Sequence, residues 1–113
     1  MRILVTGASG FIGRAVGANL SEHGYEVVGY DRHPKDVPGI SRMLVGDVLD
    51  YEAIFEAMVE CDGAINLAGL LGTSELLENI RSAINANIQG ALNVYEACLA
   101  QGKPVVQISP GNK

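Results

Sequence analysis

A chain of 113 residues and 11.9 kDa has room for one domain, and 48% hydrophobic against 19% charged residues excludes a disordered tail. The apolar runs are short, Ile3-Leu4-Val5 among them, so none can make a transmembrane helix. Eight Lys/Arg against thirteen Asp/Glu give a net charge of −5 and no basic stripe, which argues against nucleic acid as a partner.

Arg2 to Val5 reads as a short buried strand, stopped by Thr6-Gly7-Ala8-Ser9-Gly10. That run is too short for a secretory leader, and the expected setting is the cytoplasm. From Phe11 the pattern becomes helical, with Ile12, Val16 and Leu20 on one stripe and Gly24 as a left-handed stop. Glu26 to Tyr30 is a second strand ending at Asp31, and residues 32–41, with two prolines, form a loop. Arg42 to Val45 is a third strand, closed by Gly46-Asp47. Asp50 can cap a helix over 51–60 that faces Ile54, Ala57 and Met58 inward. Gly63 to Leu67 is a fourth strand, ended by Ala68-Gly69, and 70–74 is a loop. A long helix then runs to about Gln101, with Leu77, Ile80, Ile84, Ile88, Leu92, Tyr95 and Leu99 at steps of three and four. Gly102 ends it, and Pro104 to Ile108 is a fifth strand. Cys61 and Cys98 are too few and too far apart for a disulfide framework or a zinc site, and are expected as free, partly buried thiols. No metal site is expected; His23 and His33 have no ligand neighbour at useful spacing.

Strands that are apolar throughout and alternate with helices predict an α/β fold. Its form is a doubly wound parallel sheet of the Rossmann type, in the order 3-2-1-4-5, with helices on both faces. The chemistry then collects at the strand ends. Gly7, Gly10 and Gly13, at spacing three and three between a strand and a helix, suit a dinucleotide pyrophosphate. Gly7 permits the turn, Gly10 lets the backbone approach the phosphates, and Gly13 allows close packing of helix on strand. Asp31 can accept hydrogen bonds from the adenosine ribose and repel a 2′-phosphate, which favours NAD over NADP. Arg32 and Lys35 pull the other way. Asp47, with the amide of Val48, could read the amino edge of adenine, although Asp is also common in plain turns. Asn66-Leu67-Ala68-Gly69 suits a backbone passing close to a ribose, and a tight turn would use the same residues. Asn87 is a mediocre helix former in mid-helix and is expected to have a polar partner.

Together TGASGFIG at 6–13, Asp31, GDVLD at 46–50, NLAG at 66–69 and NIQGALNVYEAC at 87–98 resemble the extended short-chain dehydrogenase/reductase family, in its NAD-dependent epimerase/dehydratase branch. The resemblance implies that Phe11 and Ile12 line the phosphates and that Asp47-Val48 holds adenine. It further implies that Leu67, Ala68 and Gly69 pass the cofactor's middle, and that Asn87 sits at the family's helix asparagine. Members of the family act on nucleotide-linked sugars, oxidising a hydroxyl transiently and returning the hydride.

Two departures stand against that pattern. The family is more than twice as long, and no tyrosine here is followed four residues later by lysine, so the catalytic pair and the substrate lobe are missing from these residues. The family's hydroxyl pair after the fifth strand reads Ser109-Pro110, which leaves Ser109 as a weak catalytic candidate. The expectation is the NAD-binding part, residues 1–113, of a nucleotide-sugar epimerase or dehydratase, inactive alone. The alternative is a nucleotide-binding or redox-sensing module without chemistry. Self-association is expected through the open edge of the last strand.

Overall fold

The computed structural model describes residues 1–67 and 80–107, with side chains of the second stretch from residue 87. Strands β1 (Arg2–Thr6), β2 (Glu26–Asp31), β3 (Arg42–Val45), β4 (Gly63–Asn66) and β5 (Val105–Gln107) form one sheet in the order β3-β2-β1-β4-β5. All pairings are parallel, as the alternation of elements predicted. The register brings Thr6 beside both Tyr30 and Asn66, Asn66 beside Gln107, and Asp31 beside Val45. The carboxyl ends of the strands are thereby level, and the described candidate residues near them come to one edge of the sheet.

The period of two along each strand sorts side chains onto two faces. Leu4, Val28, Tyr30 and Ala64 meet Ile54 and Met58 of α2 (Tyr51–Val59) and Val94, Ala97 and Cys98 of α3 (Ile80–Ala100). On the other face Val5, Val27, Ile3 and Ile65 pack with Val16 and Leu20 of α1 (Phe11–Glu22) and with Ile40. Asp50 caps α2 by accepting from the Ala53 amide at 3.2 Å, and Gly24, at φ +88, stops α1. The loop over 32–41 buries Val37.

Three expectations are corrected. Ile12 does not share the buried stripe of α1; the buried residues of that helix are Gly13 and Gly17, where absent side chains let it lie close to the sheet. In α3 the larger apolar residues do not face the core: Ile88, Leu92, Tyr95 and Leu99 are exposed, while Gly90, Asn93, Val94, Ala97 and Cys98 are buried. The helical period is right and the face is opposite, because small side chains seat the helix against α2 and β4. Cys61 and Cys98 are free and fully buried rather than partly so. Leu77, Ala68, Gly69, Ile108 and Ser109 lie outside the described residues, as do the loop at 70–74 and the side chains of Ile80 and Ile84.

Candidate functional site

β1 runs out at Thr6 and the chain turns at Gly7, which takes φ +71 and donates its amide to the Tyr30 carbonyl at 2.8 Å. The Gly10 amide returns to the Gly7 carbonyl at 3.1 Å and closes the turn. At Gly13 a Cβ would stand 2.3 Å from the Gly7 carbonyl oxygen and 2.8 Å from the Ala8 backbone, so only hydrogen fits there. Gly10 differs. Its φ of −76 and ψ of 175 are open to any residue, and a Cβ would meet only the Gly7 oxygen at 3.4 Å, an ordinary contact. The fold therefore makes no demand for glycine at position 10. α1 starts just beyond it with no side-chain cap and no acidic residue in its first turn, leaving the positive end of the helix for an anion from outside. The Phe11 ring stands almost wholly exposed at the rim of this turn.

Asp31 is already at work. Its Oδ2 accepts the Ser9 amide at 3.0 Å and its Oδ1 the His33 amide at 2.9 Å, while Ser9 Oγ accepts the Lys35 amide at 2.9 Å. The carboxylate thus fastens the glycine turn to the end of β2, and the following loop is clipped onto the same turn. Each carboxylate oxygen retains a second lone pair, so a hydroxyl can still donate to it. Arg32 leans the other way, with Nε 3.7 Å from Asp47 Oδ2, an exposed pair of small energetic weight.

The turn after β3 is held from beneath. The Tyr30 hydroxyl donates to the Asp47 carbonyl at 3.0 Å, and the Asp50 amide donates to the same carbonyl at 2.9 Å. Asp47 Oδ1 accepts the Leu49 amide at 3.0 Å, and Asn93 Nδ2 of α3 donates to the Val48 carbonyl at 2.8 Å. Glycines make room for both supports: a Cβ on Gly46 would lie 2.3 Å from the Tyr30 oxygen, and one on Gly90 would lie 2.6 Å from Val48 Cγ2. Burial, with Asp50 and Asp47 close by, pushes the Tyr30 phenol up to about 12, so it stays a donor at any ordinary pH. Sequence reasoning named Asp47 and Val48 but missed Tyr30, Gly90 and Asn93. The available signal was Asn93 itself, a further asparagine in the long helix after Asn85 and Asn87.

Below the middle of the edge, the buried Thr6 hydroxyl donates to Asn66 Oδ1 and accepts the Leu67 amide at 3.1 Å. Asn66 Nδ2 donates to Gln107 Oε1 at 2.7 Å, and the Tyr95 hydroxyl reaches the same oxygen at 3.3 Å. Leu67 is buried and Asn87 half-buried. Among the described residues no cluster of His, Cys, Asp and Glu could hold a metal ion, and no helix is long and apolar enough to cross a membrane.

Residues 3–111 match the NAD dependent epimerase/dehydratase family. An uncharacterized protein of Mycobacterium tuberculosis is 36% identical over 103 residues, which are 90% of this chain and 11% of that one. A 3-beta-hydroxysteroid dehydrogenase of Mycolicibacterium neoaurum is 32% identical over 102 residues, covering 85% of this chain and 28% of the relative. Among solved structures, UDP-glucose 4-epimerase from Brucella ovis in complex with NAD superposes with a TM-score of 0.82 at 27% identity, over 94% of this chain and 34% of that one. The chain thus spans about a third or less of the proteins it matches.

Proposed function

Because the chain belongs to the NAD-dependent epimerase/dehydratase family, we propose that it forms the NAD-binding part of an oxidoreductase that acts on nucleotide-linked sugars by transient hydride transfer. One observation carries this reading. Gly10 is a glycine the fold does not need, set directly before an uncapped helix start, and a ligand's phosphates explain what its own chain does not. The cradle fits a dinucleotide in its other parts as well. The pyrophosphate would lie over Gly7, Gly10 and Gly13 against the amides of Phe11 and Ile12. Asp31 would take the ribose hydroxyls with Arg32 beside it, and Asp47 and Val48 would meet the adenine. Leu67, Ala68 and Gly69 would pass beneath the cofactor's middle, with Asn87 nearby.

When bound, NAD supplies the hydride acceptor for oxidation of a sugar hydroxyl. The chain's own residues bind and orient; the proton of that hydroxyl needs a base, and these 113 residues hold no Tyr-x-x-x-Lys to provide one. Ser109, two residues past β5 in the sequence, is the hydroxyl to test. The reading takes residues 1–113 as one cofactor domain of a cytoplasmic enzyme, with catalytic and sugar-binding groups supplied elsewhere. It expects copies to associate along β5, an end strand of the described sheet with Val106 exposed. A strictly monomeric sedimentation profile at high concentration would remove that last element.

The alternative of a sensing module draws on Pro110, which replaces a hydroxyl residue in the family pattern. Redox sensing through cysteine is disfavoured, because burial pushes the Cys61 thiol up to about 11 and raises Cys98 as well, and a sensor needs thiolate. Calorimetric titration with NAD and separately with NADP tests the main reading. Binding with NAD preferred is the expected result, and binding of neither would overturn it.

A further inference from the structure

The bonds around residues 46–50 do more than stabilise a turn. A trans peptide points its carbonyl and its N–H in opposite directions. The Asp47 carbonyl is drawn inward by the Tyr30 hydroxyl and the Asp50 amide, so the Val48 N–H of the same peptide faces away from them. The Val48 carbonyl is drawn toward α3 by Asn93 Nδ2 at 2.8 Å, so the Leu49 N–H of that peptide faces away from α3, where it meets Asp47 Oδ1 at 3.0 Å. Asn93 thereby acts on the Asp47 carboxylate through one rigid peptide plane. The amide of Asn93 is itself steadied by Gln89, whose Nε2 lies 3.4 Å from its Oδ1, and the side chain is 5% exposed.

We infer that Asn93 is a positioning residue that sets base specificity, by holding the Val48–Leu49 peptide so that an acceptor and a donor stand side by side: the Asp47 carboxylate and the Val48 N–H. That pair matches the edge of adenine, which offers an amino donor beside a ring-nitrogen acceptor. It mismatches hypoxanthine, which offers a carbonyl acceptor beside an N–H donor. The inference rests on the reading that a dinucleotide binds here with its base at Asp47 and Val48.

The test compares affinity for NAD with affinity for nicotinamide hypoxanthine dinucleotide, by calorimetry, in the wild type and in two variants. Asn93→Leu keeps the volume and removes the donor. Gly90→Ala sets a Cβ against Val48 Cγ2 from a different position on α3, and its stability can be followed by circular dichroism. The wild type is expected to prefer NAD at least about tenfold. Each folded variant is expected to bring that ratio toward one by weakening NAD while leaving the hypoxanthine analogue nearly unchanged. A purely structural role for Asn93 would weaken both ligands together, and that result, or an unchanged ratio in the folded variants, overturns the inference. If Asn93→Leu does not fold, Gly90→Ala decides alone. A wild type that binds both dinucleotides equally overturns the adenine assignment while leaving dinucleotide binding intact. A wild type that binds neither overturns the functional reading itself.

Discussion

The Asp31 carboxylate and the Ser9 backbone amide, 22 residues apart in the chain, are joined at 3.0 Å. The residue proposed to choose the cofactor is therefore also the residue that moors the glycine turn. Asp31→Ala should cost about 1–2 kcal/mol of stability, because two backbone amides lose their acceptor, and should weaken NAD about tenfold while narrowing its advantage over NADP. Thermal melts and paired titrations read the two effects separately.

Gly10 and Gly13 should behave as opposites. Gly10→Val is expected to fold with a near-normal melting temperature and to lose NAD binding, since the new side chain occupies only the approach to the turn. Normal NAD binding by that variant would show the pyrophosphate to be misplaced. Gly13→Val should lose about 3 kcal/mol or more, because its Cβ would stand 2.3 Å from a backbone oxygen.

Removing the Tyr30 hydroxyl tests the support under Asp47. Tyr30→Phe leaves the packing and deletes one donor to the Asp47 carbonyl, which the Asp50 amide still partners. A loss of about 1 kcal/mol is expected, together with a several-fold weaker affinity for NAD. An unchanged affinity would detach this turn from the ligand.

The buried thiols make stability depend on alkaline pH. Burial raises the Cys61 thiol to about 11 from an ordinary 9, so the unfolded chain releases that proton first. The contribution is complete below pH 9 and is lost as pH rises through 11; at its largest it is about 2–3 kcal/mol. Melting temperatures from pH 8 to 11 should fall more steeply in the wild type than in Cys61→Ala.

The two faces of α3 can be told apart by substitution. Leu99→Gln, on the exposed face, should change stability by less than about 0.5 kcal/mol. Val94→Ala, fully buried against Ile54 and its neighbours, should cost about 2 kcal/mol. Urea unfolding of both variants in dilute solution checks the assignment.

What could be read from the residues was whatever depends on local chemistry. The turn at Gly7, the stop at Gly24, the cap at Asp50 and the parallel order of five strands all follow from backbone freedom, capping and the handedness of crossovers. The inner face of α3 was not legible, because periodicity finds a stripe of large apolar residues and does not say which neighbour it meets. Asp31 was named for a ligand's hydroxyls, yet its bonds to Ser9 and His33 arise only once two distant segments are brought together. Tyr30 and Asn93 escaped for the same reason: each acts on a carbonyl far from it in sequence.

The small side chains on the inner face of α3 have a mechanical consequence. Ala97 and Cys98 let the helix lie near its neighbours, and Gly90 receives the Val48 side chain where any larger residue would collide with it. Only at such a short separation does a side chain as stubby as that of Asn93 span the gap to a backbone carbonyl. The thickness of the helix–loop contact works as a gauge, and a single added methyl at Gly90 would detune it without touching any atom that meets a ligand.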